Sequence, residues 1–188
     1  MNDLFLMQDT PTLLSGIAAA VLLTSAPAFR SRRMILLVQL AAALAFTMHY
    51  FCLGIAVAGA VNILCAVQTA AALLSAKSAA MHRLGYALIG LMALVGFWFW
   101  QGPISALSVA ATILIAVGRM QANELNLRVL LLAGGCFWAM HDFAAQAWIA
   151  FGADVGALAI GAVALLALLI RVTIEWRPNS SAPFATAA

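Results

Sequence analysis

The stretch "FTMHYF", Phe46 to Phe51, lies inside an apolar run, and 92 residues later the chain reads "WAMHDF", Trp138 to Phe143. Met48 falls on Met140, His49 on His141 and Phe51 on Phe143. The same shift carries Pro11 onto Pro103 and Asn62 onto the near-isosteric Asp154. Coincidences of Ala and Leu mean little in a chain so rich in both. The histidines mean more, because there are only three and two of them are in register. The pattern reads as an internal repeat, and the surrounding sequence says what kind.

Of the 188 residues, 66% are hydrophobic and 8% charged, against about 25% charged in a soluble domain. A core of this size cannot hide so much apolar surface, so the chain is read as an integral membrane protein. The net charge of +3 does not point to nucleic acid, because the basic residues punctuate apolar runs and form no single face. Cys52, Cys65 and Cys136 lie in apolar runs without a C-x-x-C pair, so neither a metal site nor a disulfide framework is indicated. No cofactor is called for. Ala26-Pro27-Ala28 resembles a signal-cleavage site, but the preceding segment carries Asp3 and Asp9 where a signal peptide is basic, so the first run is read as a retained helix.

One bilayer crossing needs about 20 apolar residues. Pro11–Phe29 supplies one crossing. Met34–Ala76 supplies two, with a turn at Gly54. Leu84–Gly118 supplies two, divided at Gln101–Pro103, and Val129–Ile170 two more, divided near Phe151–Asp154. With seven helices and the N-terminus outside, every Lys and Arg falls on the inner side. The expected topology is therefore multi-pass, with the N-terminus out and the C-terminus in.

Helices 1, 2 and 3 match helices 5, 6 and 7 under the shift, and helix 4 is left over. Two three-helix units separated by one helix have the same orientation, so they are parallel repeats about an axis along the membrane normal. The expected organisation is an extracytoplasmic segment (1–10), a first repeat (11–76), a loop with the linker helix (77–102), a second repeat (103–175) and a disordered cytoplasmic tail (176–188).

Polar residues inside a membrane are costly and mark function or pairing. A pseudo-two-fold axis would gather His49, Asn62, His141 and Asp154 as a substrate-binding set in the outer half. Asp142 and Asp154 are the carriers of any coupling proton. Each has a plainer reading. The histidines would bond a neighbouring carbonyl, and Asp154 would cap helix 7 after Gly152. Asp142 would pair across helices, because adjacent helical residues point apart and a dyad with His141 is not expected. Gln39, Gln68 and Thr69 are read as helix–helix hydrogen-bonding groups.

"HYFCLGIAVAGAVNILCAVQT", His49 to Thr69, with the later Met-His element, resembles the YgjV-type bacterial inner membrane proteins over about residues 11–175. The three-plus-one-plus-three layout also looks like that of SWEET and PQ-loop transporters. In those families polar residues of the third and seventh helices face the substrate, and the resemblance implies that role for Asn62 and Asp154. The expected function is a transporter of a small polar solute by alternating access between the two units, coupled to protons. The alternative is a receptor or scaffold that binds a ligand or partner without transport. The expected partners are membrane lipids and the solute, with room for a homo-oligomer. An enzyme is not expected, because no serine–His pair, His-x-x-x-His spacing or cysteine motif is present.

Overall fold

The computed structural model describes residues 10–100 and 102–175. The expectations for an extracytoplasmic segment before Thr10 and for the tail from Trp176 onward lie outside the described residues. Among the described residues seven helices follow one another: α1 (Thr10–Ser25), α2 (Arg32–Cys52), α3 (Ala56–Leu74), α4 (Ala79–Trp98), α5 (Pro103–Met120), α6 (Glu124–Ala144) and α7 (Trp148–Glu175). A short 3₁₀ turn, Ala26–Ala28, extends α1.

Six of the helices contain a span long and apolar enough to cross a membrane, while the apolar part of α3, Ala58–Leu74, is shorter. The 19 residues of α3 rise about 28 Å, close to the thickness of the hydrocarbon layer. Short turns join it to α2 and α4, which both cross, so α3 must cross between them. The outer surface is apolar, with Trp98 at 85%, Val163 at 70% and Leu94 at 68% exposure. In water such a surface would be a liability, and against lipid it is the expected one. This is a polytopic, all-helical membrane protein.

The repeat is written in the backbone. α2 spans Arg32–Cys52 and α6 spans Glu124–Ala144, the same positions shifted by 92 residues. Their N-caps are equivalent too: Ser31 accepts a hydrogen bond from the Met34 amide, and Asn123 from the Leu125 amide. Both helices end in the same motif. The amides of Gly54 and Ile55 donate to the carbonyls of Phe51 and Tyr50, and those of Gln146 and Ala147 to Phe143 and Asp142. This is a Schellman cap, which needs a left-handed residue at its turn. Gly54 has φ +73° and Gln146 φ +58°.

Packing has the same symmetry. Within each unit the middle helix carries the contacts, α2 against α1 and α3, and α6 against α5 and α7. Between the units α1 meets α7 and α3 meets α5, two contacts that a two-fold exchange of the units converts into one another. The linker α4 packs on α3 and α5. The seven helices are thus two parallel three-helix repeats and a linker.

Two sequence expectations need correction. The turn between α6 and α7 is at Ala145–Ala147, while Phe151–Asp154 lies inside α7. The residue that turns is Gln146, with φ +58°, and Gly152 lies within the helix. Secondly, Arg119 and Arg128 are not loop charges. They lie within α5 and α6, at 9% and 5% exposure.

Candidate functional site: a cavity between the repeats

A cavity of about 1120 Å³ runs between the two units, walled by all three helices of each and by Met92 of α4. It extends from Tyr50 and Gln146, beside the turns that follow α2 and α6, to Arg119 and Arg128 near the opposite end. From Gln39 to Tyr50, both in its wall, α2 rises 11 residues, or about 16 Å.

Four of the five proposed site residues, His49, Asn62, Asp142 and Asp154, line this cavity. His141 is not among its lining residues. The helix bounds settle the position of Asp154. α7 begins at Trp148, so Asp154 lies nearly two turns inside and is not its cap. Its carboxyl group comes within side-chain hydrogen-bonding reach of Asp142. A hydrogen bond between two carboxyls needs a proton on one of them, because an ionised carboxylate only accepts.

The histidines differ despite their register. His49 Nδ1 is 2.9 Å from the Thr12 carbonyl oxygen. A carbonyl only accepts, so that nitrogen carries the hydrogen. The ring lies flat enough on α1 that a Cβ at Gly16 would stand 2.8 Å from its Cε1. Glycine here permits the close approach of α1 and α2. His141 Nδ1 instead meets Asp142 Oδ1 at 2.9 Å, and the ring stands edge-on to Trp138 at 5.3 Å between centroids. The dyad that helical geometry argued against therefore forms, in the last turn of α6. Asp142, 8% exposed, links His141 to Asp154. Asn62 donates to the Ala58 carbonyl of its own helix at 3.0 Å, leaving its amide oxygen for the cavity.

The opposite end is closed by arginines. Arg128 donates to the carbonyls of Pro27 (2.9 Å) and Phe29 (2.6 Å), just past α1, and forms an ion pair with Glu124 at 2.6 Å. Arg32 donates to the carbonyls of Arg119 (3.0 Å) and Gln121 (2.6 Å), at the end of α5, and to Ala72 of α3. Pro27 and Phe29 are the repeat equivalents of Arg119 and Gln121. Each unit thus sends one arginine from its middle helix to hold the C-terminus of the other's first helix. The acceptors are the carbonyls a helix end leaves unpaired, where the helix dipole favours a cation. The two arginines are not equivalents, since Arg128 matches Leu36, one turn beyond Arg32. Between them Arg119 Nε donates to Gln39 Oε1 at 3.0 Å and its Nη1 to Gln68 Oε1 at 3.4 Å, while Gln68 Nε2 donates to Ala116 O. Ile35, Leu36, Met120 and Leu127 pack around this end as a continuous core.

The family profile described as Imp-YgjV, bacterial inner membrane protein, matches residues 10–171. The chain belongs to that family. The Imp-YgjV match runs from the first residue of α1 almost to the end of α7 and so takes in both repeats, the cavity and the arginine clasp. No curated protein and no solved structure matches, so the likeness in layout to SWEET and PQ-loop proteins gains no structural support. Of the functional geometry, the sequence missed the clasp and the Arg119 network. The signal was available: shifting the start of α2 at Arg32 puts the start of α6 at Glu124, which places Arg128 inside a helix.

Proposed function

We propose that this inner membrane protein is a carrier of a small polar solute, working by alternating access as the two three-helix units rock about the cavity. The observation that carries the reading is the cavity wall. Equivalent positions of the two repeats, Tyr50 with Asp142 and Asn62 with Asp154, line one space between the units, the arrangement expected of a carrier built from parallel repeats. The Asp142–Asp154 pair, with one proton between two carboxyls, is a chemically suited place for a coupling proton. His141, on Asp142, offers that proton a route. The arginine clasp makes the end bearing Arg32 and Arg128 the closed one.

Arg30, Arg32, Arg33, Lys77, Arg83, Arg119, Arg128 and Arg171 all lie at the helix ends on that side. By the positive-inside rule it faces the cytoplasm, with the N-terminus outside and the C-terminus inside. On this reading the cavity is closed toward the cytoplasm and its carboxyl pair lies near the outer end.

The test is uptake by proteoliposomes under an imposed proton gradient, using solutes first selected because they raise the thermal stability of the purified protein. The carrier reading expects saturable, gradient-driven uptake that Asp142→Asn abolishes. Solutes that stabilise the protein yet never cross would overturn it in favour of a receptor.

A further inference from the structure

Three arginines converge on the closed end, and their partners differ. Arg128 has a carboxylate, Glu124, and two carbonyls. Arg32 has three carbonyls, two of them at a helix C-terminus. Arg119, with only 9% of its surface exposed, has two neutral amide oxygens and the thiol of Cys65 beside it. Among the described residues no carboxylate faces it. Asp142 of the cavity's acidic pair lies 14 residues along α6 from Arg128, about 21 Å.

An uncompensated cation at this depth is costly, and the donors around it say what would compensate it. Arg119 has five N–H groups and spends two of them on the glutamine oxygens, with the Cys65 thiol also within hydrogen-bonding reach. Its Nη2 has no oxygen acceptor among the described residues, and neither has Nε2 of Gln39, itself 7% exposed. Yet among the described residues no buried side-chain nitrogen or oxygen is left without a partner. Both nitrogens therefore face open space, and both residues line the cavity. A positive charge and two neighbouring unspent donors, in a largely apolar chamber, form a receptor for a negative charge.

We propose that Arg119 and Gln39 form a binding site for a monovalent anion at the closed end of the cavity. The shared chemistry is a single negative charge with oxygen or halide acceptors, supplied by a carboxylate or by an inorganic anion. Where it is a carboxylate, the inference rests on the carrier reading, and this is the subsite for the acid group of the solute. An anion here would also neutralise the closed end while the clasp is engaged.

The experiment is a thermal-stability titration of the purified full chain with sodium chloride and, separately, sodium acetate, with ionic strength held constant by sodium sulfate. The wild-type midpoint should rise and saturate with at least one of the two anions. Gln39→Glu puts a tethered carboxylate within hydrogen-bonding distance of Arg119 Nε and keeps the guanidinium in place. It should raise the anion-free midpoint and weaken the apparent anion affinity roughly tenfold or more, as expected for close charge pairs. Arg119→Gln should remove the response. A response to acetate that larger monocarboxylates compete for assigns the site to a solute's acid group, and a response to chloride alone assigns it to an inorganic anion. The site is overturned if the wild type shows no saturable response, or if Gln39→Glu responds as the wild type does. Uptake is scored separately. Saturable binding without flux would keep the site and remove the carrier, and flux without any anion response would do the reverse.

Discussion

The two repeats have one backbone and two chemistries. α2 and α6 start, cap, end and turn at equivalent positions, yet the first repeat puts Tyr50 and Asn62 in the cavity where the second puts Asp142 and Asp154. His49 is spent on holding α2 to α1 through the Thr12 carbonyl, while its counterpart His141 bonds an acid of the cavity wall. The symmetry builds the chamber, and the departures from symmetry put charge into it. The first unit's wall holds no acid or arginine, and the second unit's wall holds two of each. A substitution in the second should therefore disturb function where its counterpart in the first disturbs mainly packing.

The largest contrast is expected in uptake. Asp142→Asn and Asp154→Asn should each reduce gradient-driven flux by about a hundredfold, the lower range for losing a positioned proton-transfer group. Tyr50→Phe and Asn62→Ala, at the equivalent positions, should reduce it by less than about tenfold. Equal losses on both sides would mean that the acids bind the solute as their neutral counterparts do and carry no proton. The assay is initial-rate uptake into proteoliposomes at matched protein content.

The clasp gives the next contrast, in stability. Arg128→Ala removes an ion pair and two carbonyl acceptors' donor at a site 5% exposed and should cost about 3 kcal/mol. Arg32→Ala frees three neutral carbonyls at a half-buried position and should cost about 1–2 kcal/mol. Reversible denaturation in detergent reads both. A larger loss for Arg32 would show that the helix ends, not the Glu124 pair, dominate the closed end.

The clasp also shows where sequence reading stopped. The fold was legible because apolar runs of bilayer length, broken by short basic clusters, leave few arrangements, and because two in-register histidines are rare in such a chain. The carboxyls were legible for the same reason, since any acid inside an apolar run stands out. Arg119 and Arg128 were not. An arginine near the end of an apolar run looks the same whether it snorkels to the surface or turns inward, and only packing distinguishes the two. The His141–Asp142 contact escaped because helical spacing describes where side chains leave the backbone, while two adjacent long side chains can still meet. Gly152 outshone Gln146 as a turn signal because glycine is the ordinary left-handed residue, although the repeat register with Gly54 pointed to Gln146.

A third contrast lies where α1 meets α2. Gly16→Ala would place a Cβ against the His49 ring and should destabilise the protein by about 1–3 kcal/mol through overpacking. The equivalent position in the second repeat already carries Ser108, so Ser108→Ala should be near neutral. If both changes are silent, the His49–Thr12 contact does not hold α1 in place, and His49 is free to serve the cavity it lines.

The smallest effect isolates the backbone from the side chains. Gly54 and Gln146 close the same hydrogen-bonded turn with φ of +73° and +58°. For a residue with a Cβ that conformation costs about 1–2 kcal/mol, whereas glycine adopts it freely. Gln146→Gly relieves the strain but gives the unfolded chain more freedom, worth about 0.4–1 kcal/mol in the other direction. The net expectation is a gain of about 0.5 kcal/mol. Gly54→Gln should lose a similar amount, since a Cβ at Gly54 meets nothing within 4 Å and only the dihedral resists it. Gln146 also lines the cavity, which sharpens the comparison. A stabilised Gln146→Gly protein that takes up solute more slowly would show that the second repeat tolerates strain to keep an amide at the cavity mouth. Unchanged uptake would show that the glutamine has no part in the site, and that the first repeat has the better turn.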